Sequence, residues 1–379
     1  MRHVTPLAFV NFSVSKRLLC SLAISVAATL IASPGFAAQN DVFLTATPES
    51  IEPRFYLELV SDHMNGTLDV FNVRESDPLN AGTKVGDYHG NYLNGGVKVA
   101  EEVWLSGALG RRSLSSTSDT FKYTNWQIAG LYRFKEADGS WPALALRLST
   151  WGNRANATES TTAVVVPGAK LNSVKITHPA DRQLQADLIG TWKLTPASAL
   201  STFASVGASR LSYGALSATT TRNGCDYNVT FTGNDIFGVL ARPCSASGGV
   251  IQQFFDSSGA FGVDVDSEIA WQSRFIQLGI NGSWQHGPWT WLAGYLFHYV
   301  KRDRVDAILA SRGKEFFNQN HNITLQTSYR LTPHLSVFGR GQLTSNLFFN
   351  DIPVTYNSST AERFDSRYTL FSVGLRAEF

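Results

Sequence analysis

Phe371-Ser372-Val373-Gly374-Leu375-Arg376-Ala377-Glu378-Phe379 closes the chain, and the fold turns on how that stretch is read. Phe371, Val373, Leu375 and Phe379 fall on one side of an extended backbone, because successive side chains of a strand point to opposite faces. Such a strand presents one apolar and one polar face. Left at the edge of a soluble sheet it would template aggregation. Closed into a barrel it pairs on both sides and turns its apolar face to lipid.

The same period recurs upstream. Phe55, Leu57 and Leu59 share a face, as do Leu93, Val97 and Val99, then Val103, Leu105 and Leu109. Trp126, Ile128, Tyr132 and Phe134 continue the pattern, followed by Leu144, Leu146 and Leu148, and by Leu184, Leu188, Trp192 and Leu194. Leu200, Ala204 and Val206 form the seventh segment, and Ile276, Leu278, Ile280 and Trp284 the eighth. The ninth leaves its facing open, since Trp291/Tyr295/Tyr299 and Leu292/Leu296/Val300 compete. Ile323, Leu325, Tyr329 and Leu331 mark the tenth, Leu335, Val337, Leu343 and Leu347 the eleventh, and the closing stretch the twelfth.

Short turns (Glu101-Glu102, 135–141, 195–198, 285–288, Thr332-Pro333) alternate with long connections at 62–90, 153–181, 214–263 and 350–365. This rhythm predicts an all-β, transmembrane antiparallel β-barrel of twelve strands over 53–379, with both termini periplasmic. Trp192, Trp284, Trp289, Tyr329 and Phe379 gather near the turn ends, where an interfacial girdle lies.

The N-terminus agrees. Arg2, Lys16 and Arg17 precede an apolar run from Leu18 to Ile31, and Ser33-Pro34-Gly35-Phe36-Ala37 supplies a break with small residues. This reads as a signal peptide over 1–37, with 38–52 as a short periplasmic segment that could tuck inside the barrel. Cys225 and Cys244 are the cysteines beyond it, and an even pair in an exported chain predicts a disulfide. A formal charge of +2 gives no sign of nucleic-acid binding.

With signal peptide, alternating strands and terminal Phe379, the chain resembles Gram-negative outer-membrane β-barrel proteins. The resemblance implies export by the Sec route, residence among outer-membrane lipid and lipopolysaccharide, and handling by periplasmic chaperones and the barrel-assembly machinery. It also implies that Phe371, Val373, Leu375 and Phe379 serve as the assembly signal.

If these faces point outward, the alternate set lines the lumen. Lys98, Arg112, Arg147, Arg330, Arg340, Glu58 and Asp187 are the expected pore-lining residues, with Arg133, Lys193, Arg376 and Glu378 nearer the periplasmic mouth. Cations outnumber anions in that set. The expected function is a porin passing small polar, anionic solutes, since guanidinium groups offset the cost of desolvating an anion. The lining is similar in type to that of small twelve-stranded porins for acidic oligosaccharides. Arg147 paired with Glu58 or Asp187 would brace the wall instead.

The alternative is a surface-display barrel, adhesin or receptor, acting through its long loops. A smaller alternative is an acyl hydrolase built on Ser61-Asp62-His63 with Asp87 and His89, but adjacent side chains on a strand rarely meet productively. His63, His89, His178, His286, His298, His321 and His334 look scattered rather than paired at ligand spacing, so the chain is read as non-enzymatic, with no cofactor and no metal. Asp264, Asp266 and Glu268 would share a face of an extended segment, where solvated charge explains them better than Ca²⁺ binding.

Overall fold

The structure, a computed structural model, describes residues 42–46, 54–64, 87–115, 119–160, 164–166, 169–244, 250–261, 264–346, 356, 361 and 367–379. All of them belong to the unit Gly35–Phe379. The signal-peptide reading, most of the first long connection and most of 350–365 lie outside these residues.

Twelve strands close into an antiparallel barrel. In barrel order they are β1 (Phe55–Met64), β2 (Asp87–Ala100), β3 (Val103–Ser115), β4 (Thr120–Lys135), β5 (Ala143–Arg154), β9 (Ala180–Thr195), β10 (Ser198–Ser212), β15 (Gln272–His286), β16 (Trp289–Arg302), β17 (Gln319–Thr332), β18 (Leu335–Thr344) and β19 (Tyr368–Glu378). β19 returns to β1 with Leu59 opposite Leu375, and Phe55 and Phe379 exchange backbone hydrogen bonds of 3.0 and 2.9 Å. No edge is left in the ladder, as a membrane wall requires.

The strands alternate as read, and the ninth, whose facing was open, buries Leu292, Leu296 and Val300. Phe371 and Val373 are 59% and 64% exposed, whereas Leu370 and Ser372 between them are buried. Twelve outward faces of this kind form an apolar band around the barrel. No helix is long and apolar enough to cross a membrane among the described residues.

Two-residue turns join β2–β3, β9–β10, β15–β16 and β17–β18 at one end of the barrel, called here the turn end. Gly287, at φ +58°, supplies the left-handed conformation that the β15–β16 turn needs. Trp284 stacks on Trp291 at 4.7 Å, Trp289 meets Tyr329 edge-on at 4.8 Å, and His334 stacks on Phe379 at 5.5 Å. This aromatic cluster sits where a bilayer interface would fall.

At the opposite, loop end the expected long loops fold into further sheet. β6 (Ala157–Ser160), β8 (Ala169–Thr177), β11 (Leu216–Arg222), β12 (Cys225–Thr232), β13 (Asp235–Leu240) and β14 (Gln253–Ser257) make a separate antiparallel sheet, with β7 (Val164–Val166) also paired to β8. Cys225 and Cys244 are disulfide-bonded, and Cys225, Tyr227, Val229 and Ile236 form its buried core.

Inside the barrel, three phenylalanine rings lie against glycines directly opposite them on the next strand. Phe203 covers Gly279, Phe275 covers Gly207 and Phe338 covers Gly374. A Cβ at any of the three glycines would run into the ring, so only Gly lets it lie flat on the wall.

Candidate functional site: the barrel interior

Period two sends Glu58, Asp62, Arg112, Arg147, Asp187 and Arg340 inward, and all have little exposed side chain. Four of them, Arg147 with Asp187 and Glu58 with Arg340, anchor two networks on opposite walls.

On the β5–β16 wall, Arg147 Nη1 donates to Asp187 Oδ2 at 2.8 Å, its register partner on the next strand. Asp187 Oδ1 also accepts from Gln185 Nε2 at 2.6 Å. Gln185 reaches Gln277 at 3.2 Å, and Gln277 reaches His298 at 3.0 Å. A belt of polar contacts thus crosses from β5 to β16. Nearer the loop end Asp181 accepts from the Asn153 backbone N–H at 2.9 Å and from Gln183 at 3.1 Å.

On the β17–β2 wall, Glu58 holds two arginines, Arg340 at 3.6 Å and Arg376 at 3.7 Å, and accepts from Asn94 at 3.2 Å. Arg340 also donates to Gln326 at 2.8 Å, and Arg376 to Glu378 at 2.6 Å. Of the two partners expected for Arg147, it takes Asp187; Glu58 belongs to the other wall. Lys98 and Arg133 flank the Trp104 ring at 5.1 and 5.0 Å, toward the turn end. Lys193 and Arg330 are exposed there, outside both networks.

The sequence reading missed Asp62 and Asp181 as inward anions, although both share parity with Glu58 and Asp187. Tyr92 donates to Asp62, and Tyr88 contacts Tyr92 at 3.0 Å.

Between the two walls sits α1 (Val42–Thr45), followed by Ala46. Val42, Phe43 and Ala46 pack with Ala145, Ile189, Phe203, Leu292 and Leu296, all inward residues of β5, β9, β10 and β16. Asn281 donates to the Ala46 carbonyl, and a Cβ at Gly294 would collide with Val42. The ambiguous facing of the ninth barrel strand is explained by this contact. β16 is apolar on both faces, one for lipid and one for α1. Phe43 completes the bridge across the lumen, with the Arg340 guanidinium 5.6 Å from its ring centre.

A second closure lies at the loop end. Met64, Tyr88, Leu114, Tyr123, Leu211 and Leu370 from the strands, with Trp271 just before β15, enclose Val305 and Leu309 of α3 (Val305–Ser311), together with Tyr356 and Ala361. Arg302 pairs with Asp306 at 3.2 Å and lies 3.8 Å from the Tyr356 ring centre, so its charge is held beside this apolar cap.

The hydrolase constellation does not assemble. Asp62 is turned into the lumen, on the opposite face from Ser61 and His63. His63 contacts His89 instead, Nδ1 to Nδ1 at 3.2 Å, on the outward face. The histidines are therefore not all scattered: this pair is directly opposed across β1 and β2. The acidic stretch near 264–268 is helical, not extended. Asp264 caps α2 (Val265–Ile269) by accepting from the Ser267 N–H at 3.1 Å, and Glu268 is paired with Arg312 at 2.7 Å. No cluster of three potential metal ligands occurs among the described residues.

No protein-family model matches the chain, and no curated protein matches it. Solved structures do. The translocator domain of the autotransporter NalP from Neisseria meningitidis is 10% identical with a TM-score of 0.47, over 96% of this chain and 98% of that one. A NanC porin is 7% identical with a TM-score of 0.41, over 85% and 100%. An outer membrane channel from Pseudomonas putida F1 is 10% identical with a TM-score of 0.41, over 90% and 100%. The closed twelve-stranded barrel of the present chain stands on its own ladder.

Proposed function

We propose that the protein is an outer-membrane channel, closed in the present conformation by α1 and by the loop-end cap, which passes small polar solutes and favours anions. The observation that carries this reading is the seating of α1. It crosses a lumen whose walls are otherwise lined by Arg147, Asp187, Glu58 and Arg340, yet it belongs to no strand ladder and can leave without breaking the barrel. A polar lining is redundant in a barrel that stays filled, and useful in one that opens.

The anion preference rests on the balance of the inward set. Lys98, Arg112, Arg133, Arg147, Lys193, Arg330, Arg340 and Arg376 outnumber Glu58, Asp62, Asp181, Asp187 and Glu378. Pairing within each network lowers the net field without cancelling it, and a low-dielectric wall amplifies what is left. In this reading the turn end faces the periplasm and the loop end the exterior.

A second reading is favoured by the loop-end sheet. A disulfide-stapled sheet with its own core is a built surface, suited to display or to receiving a partner.

Single-channel current in a planar bilayer under a KCl gradient separates the two. The channel reading expects discrete steps with a reversal potential on the chloride side, and Arg340→Ala should move that potential toward zero. A folded barrel that stays silent even after residues 38–46 are deleted and the cap is loosened by Val305→Ser/Leu309→Ser would refute it and leave display as the surviving role.

A further inference from the structure

The outward face changes character abruptly toward the loop end. On β3 the exposed Leu109 is followed by Arg111; on β9 the exposed Leu184 is preceded by Arg182; on β15 the exposed Ile276 is preceded by Arg274. Arg154 on β5, Arg210 on β10 and Lys301 on β16 occupy the same side and are exposed. Register links them in sequence around the wall. Arg111 and Arg154 both lie opposite Thr124 of β4, and Arg154 lies opposite Ala180, two residues from Arg182. Arg182 is directly opposite Arg210, and Arg274 is directly opposite Lys301.

Two like-charged pairs in direct cross-strand opposition are unfavourable in isolation. Acidic neighbours would relieve them, but the outward-facing positions of β3, β4, β5, β9, β10, β15 and β16 include no Asp or Glu. None of the six side chains has a hydrogen-bond or ion-pair partner among the described residues. The inward arginines differ: Arg147, Arg302, Arg340 and Arg376 are each matched to a carboxylate. This protein balances the charges it buries and leaves this belt for an external anion.

We propose that the belt binds lipids whose headgroups carry more than one phosphate, at the level where the apolar band ends. Phosphate is the anion that lies beside a barrel wall at the edge of the hydrocarbon, and arginine binds it in bidentate fashion. The belt runs from β3 to β16 across six strand intervals, roughly 30 Å at the usual strand spacing. That width exceeds one phospholipid headgroup and suits a lipid bearing several phosphates. The remaining sector is sparser: β17 and β1 carry Gln319, His321, Ser61 and His63 at their loop-end outward positions, and the exposed Arg367 just before β19 has no opposed cation among the described residues. Binding is therefore concentrated along one arc of the barrel. The proposal rests on the bilayer-spanning reading of the barrel and on no assumption about conduction.

The test uses the refolded full chain in neutral detergent micelles, titrated with fluorescent diphosphoryl lipid A and read by energy transfer from tryptophan. The variants Arg182→Gln/Arg210→Gln and Arg274→Gln/Lys301→Gln remove one opposed pair each. Lys170→Gln/Lys175→Gln, in the separate sheet, removes the same charge elsewhere. Each belt pair should weaken binding roughly thirtyfold, from about a kcal/mol per surface cation, and the control pair less than threefold. Both belt variants binding like the control would overturn the proposal. So would equal affinity for dephosphorylated lipid A, or tight binding of phosphatidylglycerol with none of lipid A. Insertion of the parent chain into phosphatidylcholine vesicles is scored separately, and its failure would count against the membrane reading alone. These side chains are exposed, so heat-modifiable gel migration should match the parent and verify that each variant folds.

Discussion

The seating of α1 gives a quantitative expectation. Val42 and Phe43 are 1% and 6% exposed. Burying side chains of this size contributes about 1.5–3 kcal/mol each. Val42→Ala/Phe43→Ala keeps a methyl at each position, so it removes roughly 3 kcal/mol of that total. The wall itself is untouched, which confines the loss to the equilibrium between seated and unseated α1. At 1.4 kcal/mol per tenfold, the unseated population should rise about a hundredfold. The probe is a thiol placed by Ala46→Cys, a position 5% exposed when α1 is seated. Its alkylation rate, resolved by mass spectrometry in the refolded barrel, reports the unseated fraction when reseating outruns the reagent. The double substitution should accelerate it on the order of a hundredfold. A change below threefold, in a barrel that still migrates as folded, would show that these contacts do not hold α1 in the lumen.

Removing one member of the buried Arg147–Asp187 pair by Asp187→Asn strands a guanidinium and should cost about 3–5 kcal/mol in urea unfolding, whereas Arg147→Met/Asp187→Leu should cost much less. Reduction of Cys225–Cys244, 19 residues apart in sequence, should cost about 3 kcal/mol, and that loss should be local. Hydrogen exchange ought to accelerate in β11–β13 and leave β9, β10 and β15 protected. The Asp264 carboxyl is held below its ordinary range, chiefly by its hydrogen bond with Ser267 and further by Asn234 and Arg304. Its folded value is depressed, so its contribution is present above the ordinary carboxylate range and lost as pH falls below about 4. Amide protection in α2 should drop over that interval in the parent. Asp264→Asn, which still caps a helix, should flatten the pH dependence.

Much of the barrel was legible because one rule generates it. Strand number and facing followed from period two at positions such as Leu57/Leu59 and Val373/Leu375, where lipid meets one face and polar atoms the other. The rule loses its information where both faces are apolar, and β16 is that case: Leu292 and Leu296 serve a partner more than 200 residues away in sequence, α1. It was also overlooked at the loop end. Cys225, Tyr227 and Val229 do alternate into a buried face, but that strand is only eight residues long and follows the Thr-rich segment 216–222, whose polarity reads as loop. The site was partly legible. Parity sent Glu58, Arg147, Asp187 and Arg340 inward, but which carboxylate meets which arginine depends on register around the whole barrel, and register between distant strands is not written locally. Applied consistently, the same parity excludes a Ser61–Asp62–His63 catalytic group and adds Asp62 to the lumen.

The three rings laid flat on Gly279, Gly207 and Gly374 make the calibre of the passage unusually sensitive to small changes in its wall. At Gly374, one added carbon would be trivial in volume, yet it would force the Phe338 ring upright into the bore. The obstruction would be a whole benzyl group, set by a methyl. Bulk at Arg147 or Arg340 would have no such leverage, because those side chains are already tied down at their tips. Narrowing of this channel by substitution should therefore begin at its smallest residues, and not at the charges that sort its solutes.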